Sequence, residues 1–98
     1  MITYKILRAD GTEEVTETET RMELKAMQEV VGGYIEMVPM PLAFGILTEG
    51  YVYANEDGKS QNLPRNLHGT VLPSGDFLRG DLLVVEGDPD NDDEEDDE

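Results

Sequence analysis

No cysteine occurs anywhere in the 98 residues. Secreted domains of this size often depend on disulfides, so the absence favours a reducing compartment, and it removes thiol nucleophiles and cysteine-ligated zinc from consideration. Cationic residues are scarce too. The seven of them, Lys5, Arg8, Arg21, Lys25, Lys59, Arg65 and Arg79, are scattered singly. Without a cationic patch to neutralise phosphates, direct nucleic-acid binding and attachment to anionic membranes are not expected. No window approaches the run of about 20 apolar residues that spans a bilayer. The apolar stretch within the opening MITYKILRADG is too short for a signal peptide. These absences point to the cytoplasm.

What is present is acid. The net charge is −16, with 31% of residues charged and 38% hydrophobic. The segment 88–98 reads DPDNDDEEDDE, and its nine acids leave −7 for residues 1–87. The expected organisation is a single α+β domain over 1–87 followed by a disordered acidic tail, 88–98. A chain of this length supports one modest core. A protein partner, itself basic or nucleic-acid-binding, suits the charge.

Hydropathy patterning predicts the elements. Ile2, Tyr4 and Ile6 share one face of a strand running from Ile2 to Arg8. Ala9-Asp10-Gly11-Thr12 reads as a tight turn. The return strand, about Glu13 to Thr18, is charged enough to belong at a sheet edge. Thr20 and Glu23 fit a capping box for a helix over Arg21 to Val31, with Leu24, Met27 and Val31 as its stripe and Gly32-Gly33 as its stop. Short strands are expected at Tyr34–Val38, Leu42–Leu47, Tyr51–Asn55 and Gly69–Leu72, with a buried final strand at Asp81–Glu86. Asn55-Glu56-Asp57-Gly58 reads as a turn, and Pro64 opens a short helical turn or loop. The fold class is α+β, one main helix packed on a curled, mostly antiparallel sheet. Its predicted core is Ile6, Leu24, Met27, Val31, Ile35, Val52, Leu82 and Val84.

Three blocks carry a family resemblance: VVGGYIEMV (Val30 to Val38), YANEDGKSQNLPRNLHGT (Tyr53 to Thr70) and LRGDLLVV (Leu78 to Val85). Together they resemble a family of small phage- and plasmid-encoded proteins known only as a domain of unknown function. The resemblance covers nearly all of residues 1–87 and leaves out the tail. It implies a mobile-element setting and supplies no reaction.

Catalytic apparatus is not legible. The single histidine, His68, has no partner beside it in sequence, and neither Ser60 nor Ser74 sits in a G-x-S-x-G elbow. Gly58-Lys59-Ser60 ends like a phosphate loop, but the glycine five residues earlier is replaced by Tyr53. Asp88, Asp90 and Asp92 match the start of a calcium loop, which then fails at Asp93, where glycine is needed. The chain reads as a non-enzyme without metal or cofactor, an accessory or regulatory protein that binds a protein partner.

Two surfaces qualify for that role. One is a polar loop of Asn55, Glu56, Asn62, Arg65, Asn66 and His68, which would also frame a small-molecule or hydrolytic site if a pocket converged on Asn66 and His68. The other is acidic: Glu13, Glu17 and Glu19 on the second strand, and Asp90, Asp92, Asp93, Glu94 and Glu95 in the tail. Side chains on one strand face recur at about 6.6 Å, roughly twice the phosphate interval along one DNA strand, so an acidic DNA mimic blocking a host enzyme is the alternative. Tyr51, Tyr53 and Phe77 are the expected apolar anchors. The acid excess over only three lysines also suits a salty cytoplasm.

Overall fold

The computed structural model describes residues 1–87; the acidic tail and the site residues assigned to it, Asp90, Asp92, Asp93, Glu94 and Glu95, lie outside the described residues. Five strands form one antiparallel sheet with a helix on one face, so the α+β expectation holds. In chain order they are β1 (Ile2–Leu7), β2 (Glu13–Thr18), β3 (Ile35–Met37), β4 (Tyr51–Asn55) and β5 (Leu82–Glu86), with α1 (Leu24–Val31) before β3. Their order across the sheet is β2-β1-β5-β4-β3.

The last strand takes the centre because four consecutive apolar residues give it two buried side chains on each face. Leu82 and Val84 face a layer of loops, whereas Leu83 and Val85 face the helix, and all four are buried. Two cores result. On the helix side Ile2, Tyr4, Val31, Leu83 and Val85 gather Ile6, Met27, Val30, Ile35 and Tyr53 around them. On the loop side Leu7, Val38, Ile46, Val52, Ala54, Leu82 and Val84 are covered by Phe44 and Leu78. The alternation in β1 is therefore real, with Leu7 turned to the opposite face.

The β1–β2 hairpin closes as its sequence predicts. Gly11 is left-handed at φ 95, and Asp10 Oδ1 accepts from the Thr12 amide at 3.0 Å and the Thr12 hydroxyl at 2.7 Å. Strand β2 is an exposed edge.

The helix begins three residues later than its sequence suggests. Glu23, its N-cap, is extended at φ −75 and ψ 157 and makes no side-chain cap. Other partners take the place of the capping box: the distant Tyr4 hydroxyl accepts the Met22 amide at 2.7 Å, and the Thr20 amide bonds locally to Thr18 Oγ1. Leu24 consequently occupies the first turn and is 58% exposed, so it leaves the predicted core. Gly32, at φ 83, ends the helix as expected.

Two further predictions are corrected. Leu42–Leu47 is no strand, because Pro41–Phe44 winds into a 3-10 turn closed by left-handed Gly45 at φ 83. Gly69–Leu72 is irregular, its Thr70 amide spent on the Phe44 carbonyl. In the same region Pro64–Asn66 takes the loop form of the two that its sequence allowed, with Arg65 bridging Arg79.

Candidate functional site

The polar loop divides into buried ties and exposed residues. Asn66 has no exposed surface. Its Nδ2 donates to the Leu7 and Gly80 carbonyls, each at 2.8 Å, and its Oδ1 accepts the His68 amide at 2.8 Å. It thus joins the end of β1 to the approach to β5. Asn55 is buried as well. Its Nδ2 donates to the Val31 carbonyl at the helix end, and its Oδ1 accepts the Asp57 amide at 2.7 Å within the turn read at Asn55-Glu56-Asp57-Gly58. Both asparagines use their amides to satisfy buried backbone, a structural task.

Glu56, Asn62 and Arg65 are exposed, and Arg65 Nη2 donates to the Gly69 carbonyl. His68 is half-buried, its Nε2 2.8 Å from the Thr12 carbonyl, so that nitrogen carries the proton. The structure does not gather these residues around a reacting point. His68 does line a cavity of about 190 Å³ with Lys5, Thr48 and Glu86. Three of its side chains are engaged with one another: Lys5 Nζ lies 3.3 Å from Glu86 Oε1, and the Thr48 hydroxyl donates to Glu86 Oε2 at 2.5 Å; Glu13 also lines the cavity. Asn66 does not line this cavity, its side-chain amide being engaged with Leu7, Gly80 and His68. Among the described residues no three His, Asp or Glu side chains come together as metal ligands.

Glu13 and Glu17 share one face of β2 and are exposed, as is Glu19 just beyond it. Glu14, on the other face, is spent on Arg8, whose Nη2 lies 2.8 Å from Glu14 Oε2 and whose Nη1 lies 2.9 Å from Asp81 Oδ2. The hydrogen bond to Asp81, then that to Glu14, holds the Arg8 guanidinium above its already high ordinary pKa. Asp10 is held below the usual carboxylate range, chiefly by the Thr12 hydroxyl and then by the Thr12 amide.

The expected aromatic anchors are not the apolar residues that reach solvent. Tyr53 packs into the helix-side core, Tyr51 stands 6.5 Å from it ring to ring, and Phe77 is half-buried with the Arg79 guanidinium 4.6 Å above its ring. Instead Met40, Leu42 and Leu47 protrude, at 66%, 68% and 78% exposure. The cause is local. Pro39 and Pro41 bracket Met40, and the 3-10 turn sends Phe44 and Ile46 into the loop-side core while leaving Leu42 and Leu47 outside. Val71, also exposed, is brought beside this turn by the Thr70–Phe44 bond at 2.8 Å. Read as a strand, the segment would have turned Leu42 inward with Phe44 and Ile46. The paired prolines and Gly45 were the signal that the segment turns.

Apolar residues are exposed at the β3 edge of the sheet as well. Val38 donates to the Val52 carbonyl and Glu56 to the Tyr34 carbonyl, so Tyr34, Glu36 and Val38 turn their backbone groups toward β4. The amides and carbonyls of Ile35 and Met37 therefore point away from the sheet. Tyr34 and Met37 are both exposed on this edge.

The chain belongs to the family described as a domain of unknown function, DUF3846, whose model matches residues 3–97. The match runs on through the acidic segment that the resemblance in the sequence left out. No match was found among curated proteins or among solved structures.

Proposed function

We propose that this protein is a non-catalytic accessory or regulatory factor that works by binding a protein partner through the apolar surface running from Met37 to Leu47. The observation that carries the reading is the exposure of Met40, Leu42 and Leu47 in one eight-residue stretch of an otherwise strongly acidic chain. Exposed apolar clusters rimmed by polar residues mark interaction surfaces. Methionine adapts its shape to a partner better than branched side chains do. A mobile-element setting and a cytoplasmic location are part of this proposal.

The test compares the full chain with a triple variant, Met40→Glu, Leu42→Glu and Leu47→Glu, as baits in lysate of the source cell. A charge control carries Thr16→Glu, Thr20→Glu and Ser74→Glu, all at exposed positions. A protein retained by the full chain and the control at about 0.5 M salt, where charge attraction is screened within a few ångströms, and lost from the triple variant, supports the reading. Capture unchanged in the triple variant refutes it.

A second reading, an acidic mimic of nucleic acid, is favoured by the exposure of Glu13 and Glu17, which make no ion pair among the described residues. Inhibition of a DNA-binding host enzyme by the full chain, abolished by Glu13→Gln with Glu17→Gln, would support it. An unchanged inhibition in that double variant would count against a role for β2.

A further inference from the structure

The two edges of the sheet differ in kind. Edge strand β2 carries Glu13, Glu14 and Glu17 with a single exposed apolar residue, Val15. A strand rich in charge resists pairing with another chain. Edge strand β3 carries one charged side chain, Glu36, between two apolar residues. Its outward amides belong to Ile35 and Met37, and exposed Tyr34, Met37, Met40 and Leu42 follow its line. Pro39 and Pro41 limit the pairing to a short stretch, so backbone bonds there need side-chain anchors beside them.

Charge identifies what the edge accepts. Residues 26–58 contain no lysine or arginine, but include Glu29, Glu36, Glu49, Glu56 and Asp57. An open groove of about 500 Å³ at the start of the edge is lined by Lys25, Glu29, Gly32, Tyr34, Asp57 and Gln61. Two carboxylates beside a tyrosine ring and one lysine leave an acidic excess suited to a lysine or arginine side chain. A second copy is a poor occupant, because it would bring another chain of net charge −16 against the same acids.

From this we infer that β3 accepts an extended segment of the partner as a sixth strand, apolar at alternate positions and carrying lysine or arginine for the acidic rim. The inference rests on the partner-binding reading above and adds the mode and the chemistry. Strand addition draws its affinity from main-chain hydrogen bonds and its specificity from alternate side chains. The Met37 amide is the group to remove. It points outward, so Met37→Pro deletes a donor the fold does not use, and proline is tolerated at an edge. Met37→Ala keeps that amide and trims only the side chain.

The experiment selects random twelve-residue peptides displayed on phage against the full chain, then measures the affinity of a selected synthetic peptide by fluorescence anisotropy. The expected peptides alternate apolar residues and are enriched in lysine and arginine. Met37→Pro should weaken binding at least tenfold, Met37→Ala less than threefold, and Met40→Glu with Leu42→Glu at least tenfold. If the last variant loses binding and Met37→Pro does not, strand addition is overturned and the apolar surface stands. If neither variant changes binding, both readings fall. Selected peptides without basic enrichment overturn the charge assignment, and a dimer in sedimentation that Met37→Pro dissociates overturns the choice of a foreign partner.

Discussion

Replacing Asn66 by alanine is the sharpest test of the account given of the polar loop. If Asn66 is a recognition residue, its loss should spare stability; if it is a buried tie, the fold should weaken. The structure sets the size of the effect. Three hydrogen bonds of 2.8 Å vanish, two of them leaving the Leu7 and Gly80 carbonyls without the donor that reached them. At about 1 kcal/mol net for each bond, rising where a buried group is left unpaired, the loss is about 3–4 kcal/mol. That is a large fraction of the roughly 5–15 kcal/mol that holds a domain folded. With a urea slope of about 1 kcal/mol/M for so small a chain, the unfolding midpoint should fall by ~3 M at unchanged slope. Arg65→Ala is the control, since that exposed side chain makes one bond to the Gly69 carbonyl and should cost less than about 1 kcal/mol. A midpoint shift for Asn66→Ala below about 0.5 M would refute the reasoning. It would show that water or a shifted backbone satisfies those carbonyls, and it would return Asn66 to the list of residues free to recognise a ligand.

Gly50→Ala should abolish folding, because the added Cβ would lie 1.9 Å from the Val85 carbonyl oxygen of the central strand; a dispersed amide NMR spectrum from that variant would contradict the packing. Gly75→Ala meets no atom within 4 Å and bears only the strain of its φ of 92, so it should cost about 1–2 kcal/mol of stability and still fold. Tyr4→Phe removes the acceptor of the Met22 amide and should cost about 1 kcal/mol, with faster amide exchange at Met22 as the local sign. The Asp10 carboxyl, titrated by NMR, should report a pKa below that of an unfolded-chain aspartate and return toward it in Thr12→Val. Because folding lowers this pKa, the carboxylate's contribution is present above the unfolded value and is lost as pH falls through the folded one. Asp10→Asn should therefore flatten stability against pH in that acid window, lowering stability at neutral pH and leaving it little changed below the folded value. Asp81→Ala removes both the Arg8 contact and the acceptor of the Ala9 amide at 2.8 Å, and should cost about 1–2 kcal/mol with weak salt dependence, since the amide bond carries more than the partly exposed ion pair.

The sequence by itself determined the features that depend on neighbours along the chain. Alternation in Ile2–Leu7 placed Tyr4 inward, Asp10-Gly11 closed the first hairpin, Gly32 stopped the helix, and four consecutive apolar residues put β5 where both faces are covered. Tyr51–Asn55 was legible to the residue for the same reason. What the sequence left undecided depends on partners far away in it. The helix start moved because Tyr4 captured the Met22 amide, and a local capping box cannot show that competitor. Asn66 read as a loop residue until Leu7 and Gly80, at opposite ends of the chain, proved to be its acceptors. The exposed surface was hardest of all. Leu42, Phe44 and Ile46 are equally apolar in sequence, and only the 3-10 turn, with its carbonyl held by Thr70, decides which of them the core receives and which reaches solvent. Hydropathy records how much a side chain gains from burial, whereas the space to bury it exists only after the sheet and its loop layer have assembled.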